Sequence, residues 1–254
     1  MINEKHKSSQ PLVALVLIGN EVLSGRTKDK NLSFIAKRCG AIGLCLSEVR
    51  VIPDIQDVIV QTVKELSAKY EHVFTTGGIG PTHDDITSEC IARVCNVKLV
   101  KNKEAYRRLN EYYKNSSLNL NSAREKMTFI PEGANLIDNP VSIAPGFHIK
   151  NIWVMAGVPK IMQAMFTGYI EKHLVGGLPT ISKSIKIFCP EGEIASIMDE
   201  VQTMNSEIDI GSYPFYNPPS IGTSVVFKGT NKYVIKKAYN ELLERLNIHN
   251  IPHK

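Results

Sequence analysis

From Leu12 to Ile18 the chain is an unbroken apolar run, the pattern of a strand buried on both faces of a parallel sheet. It stops at Gly19-Asn20. Leu32, Ile35, Ala36 and Cys39 then share one face of a predicted helix, with Asp29 placed to cap it and Gly40 and Gly43 to close it. Leu46 to Ile52 predicts a second strand, ended by Pro53-Asp54. Asp54 is the expected cap of a helix whose apolar side carries Ile55, Val58, Ile59, Thr62, Val63 and Leu66. Val73-Phe74 is a third, short strand, and Cys90 to Cys95 a third helical pattern. Such strand–helix alternation predicts a parallel sheet with right-handed crossovers.

The middle of the chain is less regular. Residues 101–126 are rich in Lys, Arg, Asn and Tyr. They predict a helix from Lys103 to Tyr113, a loop from Asn115 to Asn121 and a short helix from Ser122, with Lys103, Arg107, Arg108 and Lys114 on a solvated face. Asn139-Pro140 and Ala144-Pro145-Gly146 read as a tight loop closing over a ligand. Ile152 to Met155 is a strand holding the single tryptophan, Trp153, and Gly157-Val158-Pro159 turns into a helix with Ile161, Met162, Met165, Phe166 and Tyr169.

Gly176-Gly177-Leu178-Pro179 reads as a linker. Beyond it come a strand (Ser184 to Cys189), a helix (Ile194 to Met204), strands at Ile208 to Tyr213 and Gly222 to Phe227, and a last helix capped by Thr230 or Asn231. Tyr213 to Pro219 is expected to be a loop whose aromatics pack or reach a neighbour. The β-α-β-β-α order predicts a small α+β domain. The expected organisation is therefore a flexible tail (residues 1–11), an α/β domain (12–176) and an α+β domain (180–254).

Composition narrows the class. Hydrophobic residues make up 43% and charged residues 22% of 254, ordinary for a globular protein. The net charge of +5 is scattered, which suits an anionic ligand and not a nucleic-acid surface. No run approaches the ~20 apolar residues of a membrane span, and no signal peptide is evident, so a cytoplasmic location is expected. The odd number of cysteines, without a CxxC pair, argues against a disulfide framework or a zinc site; Cys39, Cys90 and Cys95 read as core thiols.

The candidate chemistry lies between the third strand and third helix, in Thr75-Thr76-Gly77-Gly78-Ile79-Gly80-Pro81-Thr82-His83-Asp84-Asp85-Ile86-Thr87-Ser88-Glu89. Glycines there let backbone N–H groups approach a phosphate, and Pro81 stiffens the exit. Asp84 and Asp85 are placed either to cap the helix or to hold a divalent metal against that phosphate. Gly19-Asn20-Glu21, Asp54 and Gly77–Gly80 all follow strands, so they should converge on one crevice at the carboxyl ends of the sheet.

This string resembles the signature of the molybdopterin-binding domain family, the MogA, MoaB and CinA-like proteins, and most of all its CinA branch, in which GG-x-GPT-x-DD-x-T is characteristic. Gly19 to Thr27, with Asp29 and Asn31 after it, resembles the family's GNE-x-L-x-G block. Val51-Ile52-Pro53-Asp54 resembles a strand end that supplies an acidic residue. Pro131-Glu132-Gly133-Ala134, Asn139 to Phe147 and Met155 to Pro159 resemble its PEGA, NP-x-G-x-APGF and PGVP blocks. The likeness spans residues 12–175. Full-length CinA adds an amidase domain, for which this chain is expected to be too short.

The resemblance implies a three-layer α/β/α domain with a mostly parallel sheet. It also implies a nucleotide or pterin ligand and a dimer or trimer. Two activities are implied: metal-dependent hydrolysis of the pyrophosphate bond of ADP-ribose or FAD, or molybdopterin binding and adenylylation. Mg²⁺, Mn²⁺ or Co²⁺ would be the cofactor. Asp54, Asp84 and Asp85 are the expected catalytic acids, with Asp84 and Asp85 on the metal. Gly19, Asn20, Glu21, Ser24, Thr76, Gly77, Gly78, Gly80, Pro81, Thr82, Thr87, Asn139, Pro140 and Gly157 are the expected ligand-binding residues. Glu21, Asp29 or Glu89 would orient the water. His83 stands at a position the family leaves variable, and Arg124 matches an Arg ahead of the PEGA block. Ser142 replaces a usual Gly, Ala156 a Pro and Ile161 a Glu.

Overall fold

The computed structural model describes residues 10–116, 118–217 and 220–254. The expected tail lies outside them up to Ser9. Gln10 is buried, and the Pro11 carbonyl accepts from the Cys45 N–H at 3.0 Å, so the sheet is already tied down there. The chain divides into two units, Gln10–Gly177 and Leu178–Lys254.

In the first unit, β1 (Leu12–Ile18), β2 (Cys45–Ile52), β3 (His72–Thr76) and β8 (Ile152–Met155) are parallel neighbours in the order β2-β1-β3-β8. Residues on β1 alternate between two cores. Ala14, Val16 and Ile18 join a cluster with Ile59, Val63 and Leu66 of α3 (Gln56–Lys69) and Cys90 and Ile91 of α4 (Thr87–Cys95). Val13, Leu15 and Leu17 join Ile35 and Cys39 of α2 (Asn31–Ala41) and Met162 and Met165 of α7 (Pro159–Met165). A strand whose successive side chains point to opposite faces can feed two cores only if both faces are covered, which makes three layers. Cys39, Cys90 and Cys95 are buried as expected, and burial pushes the Cys39 thiol up to about 12.

Several short elements escape any reading of periodicity. The strand β4 (Leu99–Lys101) pairs with β5 (Phe129–Pro131), with α5 (Lys103–Lys114) and α6 (Ser122–Lys126) lying between them in the chain. The strands β6 (Asn135–Ile137) and β7 (Gly146–Ile149) extend the main sheet antiparallel beyond β8. With three or four residues each, these strands carry no alternation to detect. The α7 helix runs on through a π-helical turn (Phe166–Ile170) into α8 (Glu171–His173).

Two expected caps are corrected. Residue Ile55 stands at the α3 N-cap without a side-chain bond, and Ile86 does so at α4, so Asp54, Asp84 and Asp85 cap neither helix. Asp29 does hold the start of α2, accepting from the Asn31 and Leu32 N–H groups at 3.2 and 2.9 Å.

The second unit has β9 (Ile181–Ile187), α9 (Glu191–Met204), β10 (Asp209–Asn217), β11 (Ser220–Gly229) and α10 (Lys232–Ile248). Its antiparallel sheet has the order β10-β11-β9, and its core joins Ile185, Phe227, Ile194 and Leu242. Asn231 caps α10 through the Tyr233 and Val234 N–H groups. The expected aromatic loop is instead the end of β10 through Asn217; Pro214 hides that strand from a sequence reading. Pro218 and Pro219 lie outside the described residues. Among the described residues, no helix is long and apolar enough to cross a membrane.

Candidate functional site

The α2 helix, between β1 and β2, joins one core, and α3, between β2 and β3, joins the other. Crossovers on opposite faces open a crevice beyond the carboxyl ends of β1 and β3, where ligands of open parallel sheets bind. A cavity of about 580 Å³ lies there, walled by Gly19, Asp54, Gly77 and Gly157 from the ends of β1, β2, β3 and β8.

The glycine turn is shaped first by its own neighbours. Gly77 and Gly78 hold φ of 103° and 69°, which L side chains rarely adopt. A Cβ on Gly77 would lie 2.1 Å from the Ile18 carbonyl oxygen, and one on Gly78 2.1 Å from Thr87 Oγ1. The bare backbone thus lets β3 close against the end of β1 and the start of α4. The Thr87 N–H donates to the Gly78 carbonyl at 2.9 Å. Thr87 Oγ1 is buried without a hydrogen-bond partner among the described residues.

Asp84 and Asp85 enclose one hydroxyl. The Thr82 N–H donates to Asp85 Oδ2 at 2.8 Å, and Thr82 Oγ1 lies 2.6 Å from Asp84 Oδ1 while also contacting Asp85 Oδ2. A hydroxyl has one proton, so it serves one carboxylate at a time. The other keeps a negative oxygen at hydrogen-bond distance without a proton, an arrangement that a cation relieves. The Thr82 hydroxyl, followed by the Asp84 backbone N–H and the charges of His83 and Lys126, holds the Asp84 carboxyl below the usual range. Both carboxylates line the cavity.

Asp54 meets the cavity from β2. Its Oδ2 accepts from the Asn20 N–H at 2.8 Å, bracing α1 (Asn20–Leu23), the single helical turn after β1. Glu21 lines the cavity too, its carboxylate lying over Gly19. Asp54, Asp84 and Asp85 share the cavity but do not close into a cage: no group of three His, Cys, Asp or Glu suited to a metal occurs among the described residues. The Asp84 and Asp85 carboxylates are oxygen donors of the kind a hard divalent ion such as Mg²⁺ accepts, and two of them would leave the rest of its shell to other oxygens.

Of the other expected ligand residues, Gly80 and Pro81 line the cavity. Ser24 donates to the Glu21 carbonyl at 3.3 Å, and Thr76 is buried beneath the turn within 3.5 Å of Asn31 Nδ2. Asn139 lines the cavity, but its side chain binds its own loop, donating to Ser142 Oγ and the Ala144 carbonyl and accepting from the Val141 and Ser142 N–H groups. Pro140 faces a second, open concavity of about 1030 Å³ beside Arg107 and Arg108. Those arginines pair with Glu104, Glu111 and Asp138. Of the acids proposed to orient water, Glu89 pairs with Arg93 and Asp29 is taken up by the first N–H groups of α2, which leaves Glu21 at the cavity wall.

The sequence did not single out Lys126, whose ammonium donates to the Thr82 carbonyl and brings a positive charge to the acid turn. Nor did it single out Tyr113 and Met127, which line the cavity. No local pattern marks them, because their partners lie far along the chain.

The family model described as "Probable molybdopterin binding domain" matches residues 14–175, and one described as "FAD synthase, middle domain" matches residues 179–254. A protein of Archaeoglobus fulgidus is 35% identical over 233 residues, 92% of this chain and 97% of its own. One from Pyrobaculum calidifontis is 32% identical over 212 residues, 80% of this chain and 81% of its own. The crystal structure of CinA from Thermoplasma acidophilum, described as of unknown function, matches 65% of this chain and 99% of its own, with a TM-score of 0.60 at 30% identity. With that cavity inside a matched stretch that fills well over half its length, the chain belongs to the molybdopterin-binding domain family, the MogA, MoaB and CinA-like proteins.

Proposed function

We propose that the first unit is a divalent-metal-dependent nucleotide pyrophosphatase acting on dinucleotides of the FAD or ADP-ribose type. The observation that carries this reading is the Asp84–Asp85 pair around one hydroxyl, beside a glycine turn, in a cavity that Asp54 and Glu21 also line. The likeness of residues 179–254 to a domain named for FAD synthase favours a flavin dinucleotide among these substrates.

In this reading the turn from Gly78 to Gly80 receives the pyrophosphate, the Gly77 N–H being held by the Met155 carbonyl at 3.1 Å, and Lys126 on the Thr82 carbonyl adds positive charge nearby. Asp84 and Asp85 would hold a divalent metal, which would supply Lewis-acid polarisation of a phosphoryl oxygen and lower the pKa of a water beside it. Glu21 orients the attacking water and takes its proton. The water oxygen bonds to phosphorus as the bridging P–O bond breaks, and the bridging oxygen leaves on the second phosphate. The products are AMP with FMN from FAD, or AMP with ribose 5-phosphate from ADP-ribose. Asp54 keeps the turn after β1 in place.

The family description favours a second reading, molybdopterin binding without turnover. One assay separates the two: AMP release from FAD and ADP-ribose across titrations of Mg²⁺, Mn²⁺ and Co²⁺, beside melting curves with molybdopterin. Metal-dependent AMP release is expected. No release with any metal, together with a raised melting temperature on adding molybdopterin, sinks the hydrolase in favour of the carrier.

A further inference from the structure

We infer that Tyr113 is the stacking platform for the planar ring of the bound nucleotide, and so a specificity-determining residue; this rests on the phosphate-binding reading above. Tyr113 is the one aromatic residue among the described residues lining the cavity. It reaches there from the last turn of α5, while the glycine turn and the Asp84–Asp85 pair form another part of the wall. The cavity thus has a polar, phosphate-binding part and an aromatic part.

The ring is held on two other sides. The Arg124 guanidinium sits 4.8 Å from its centroid, and Tyr112 meets it edge-on at 5.3 Å and 81°. Arg124 is itself anchored, donating to the Asn119 carbonyl. A cation on one face fixes the ring and draws its electron density, which suits the other face to stacking against a heterocycle. Met127 adds a soft apolar wall to the same cavity. This gives the Arg ahead of the PEGA block a role: it backs the stacking ring and does not itself line the cavity.

The chemistry recognised is a flat heteroaromatic ring carried on a phosphate. Adenine, flavin and pterin all supply it, and ribose 5-phosphate supplies the phosphate without the ring. The test measures Kd for AMP, FMN and ribose 5-phosphate with Mg²⁺, by titration calorimetry, on the full chain and its Tyr113→Ala, Tyr113→Phe and Arg124→Met variants. Melting curves establish that each is folded. The parent should bind AMP or FMN more tightly than ribose 5-phosphate. Tyr113→Ala should weaken the ring-bearing ligand by about tenfold or more and leave ribose 5-phosphate unchanged. Tyr113→Phe should retain binding, because the ring acts and not the hydroxyl, and Arg124→Met should lose a smaller factor for the same ligands. Whichever of AMP and FMN loses more identifies the ring. Unchanged affinity for AMP and FMN in Tyr113→Ala overturns the stacking role while the phosphate site stands. Equal losses for all three ligands also overturn it and make Tyr113 a structural wall. If the parent binds none of them, the phosphate reading falls and stacking falls with it.

Discussion

Thr82 is the hinge of the acid turn. Its backbone N–H and single hydroxyl serve two carboxylates that would otherwise repel each other. Because neither carboxylate caps α4, neither is needed to start that helix. Replacing Asp84 or Asp85 by Asn keeps size and the capacity to accept a hydrogen bond but removes the charge a cation requires. Each variant should lose metal-dependent AMP release by on the order of tenfold or more, while its melting temperature stays within about 2 °C of the parent. Parent-like release across a metal titration in both variants would assign the pair a purely structural role. The low Asp84 pKa gives the sign of the pH dependence. Its charge is lost at a lower pH than that of an unperturbed aspartate, so Asp84 itself should remain ionised further into mild acid, read by the carboxyl chemical shift across a pH titration.

Three strands meet in a pH-sensitive packing arrangement. The His148 ring of β7 stacks on Trp153 of β8 at 3.9 Å and 10°, and Trp153 Nε1 donates to Nδ1 of His72 on β3 at 3.3 Å. That bond needs a neutral Nδ1. Burial, above all, lowers both imidazole pKa values; Glu71 opposes the shift at His72 and the His148 charge adds to it, while at His148 the Lys150 carbonyl opposes it. The unfolded chain therefore takes up protons at higher pH than the folded one. The stability contributed by the neutral pair is complete above about 6.5 and is lost as the pH falls below it. The melting temperature should drop between about pH 7 and 5.5, with a parallel change in emission from the single tryptophan. Substituting both His72 and His148 by Gln should flatten both curves. A melting temperature that is level across this window in the parent would rule the device out.

At the scale of the molecule, the expected linker divides unequally. The Gly177 N–H donates to the Gly43 carbonyl at 2.8 Å, and a Cβ on Gly176 would lie 1.6 Å from the Ile42 carbonyl oxygen, so this pair is packed into the first unit. Leu178, 58% exposed, begins the second. Limited proteolysis should cut at residues 178–180 and spare the Gly176-Gly177 bond, leaving a folded fragment that ends near residue 178. Cuts only inside the first unit would refute a two-domain division.

The sequence by itself determined what short-range periodicity encodes. The run from Leu12 to Ile18, the helical faces of α2 and α3 and the strand–turn–helix around Gly77 follow from neighbouring residues alone. So does the family, since its motif is contiguous; both the α/β architecture and the membership stand. Tertiary structure decided the rest. Asp54 reads locally as a helix cap, but it bonds across 34 residues to Asn20. Lys126 reaches Thr82 across 44. Tyr113 sits on a helix whose sequence reads as a solvated face, yet it lines the cavity. The short strands β4 to β7 exist because partners complete their hydrogen bonds, not because so few residues prefer to be extended. A helix or a long strand is written in its own sequence, whereas the cavity is made of strand ends and loops that meet only once the sheet has formed.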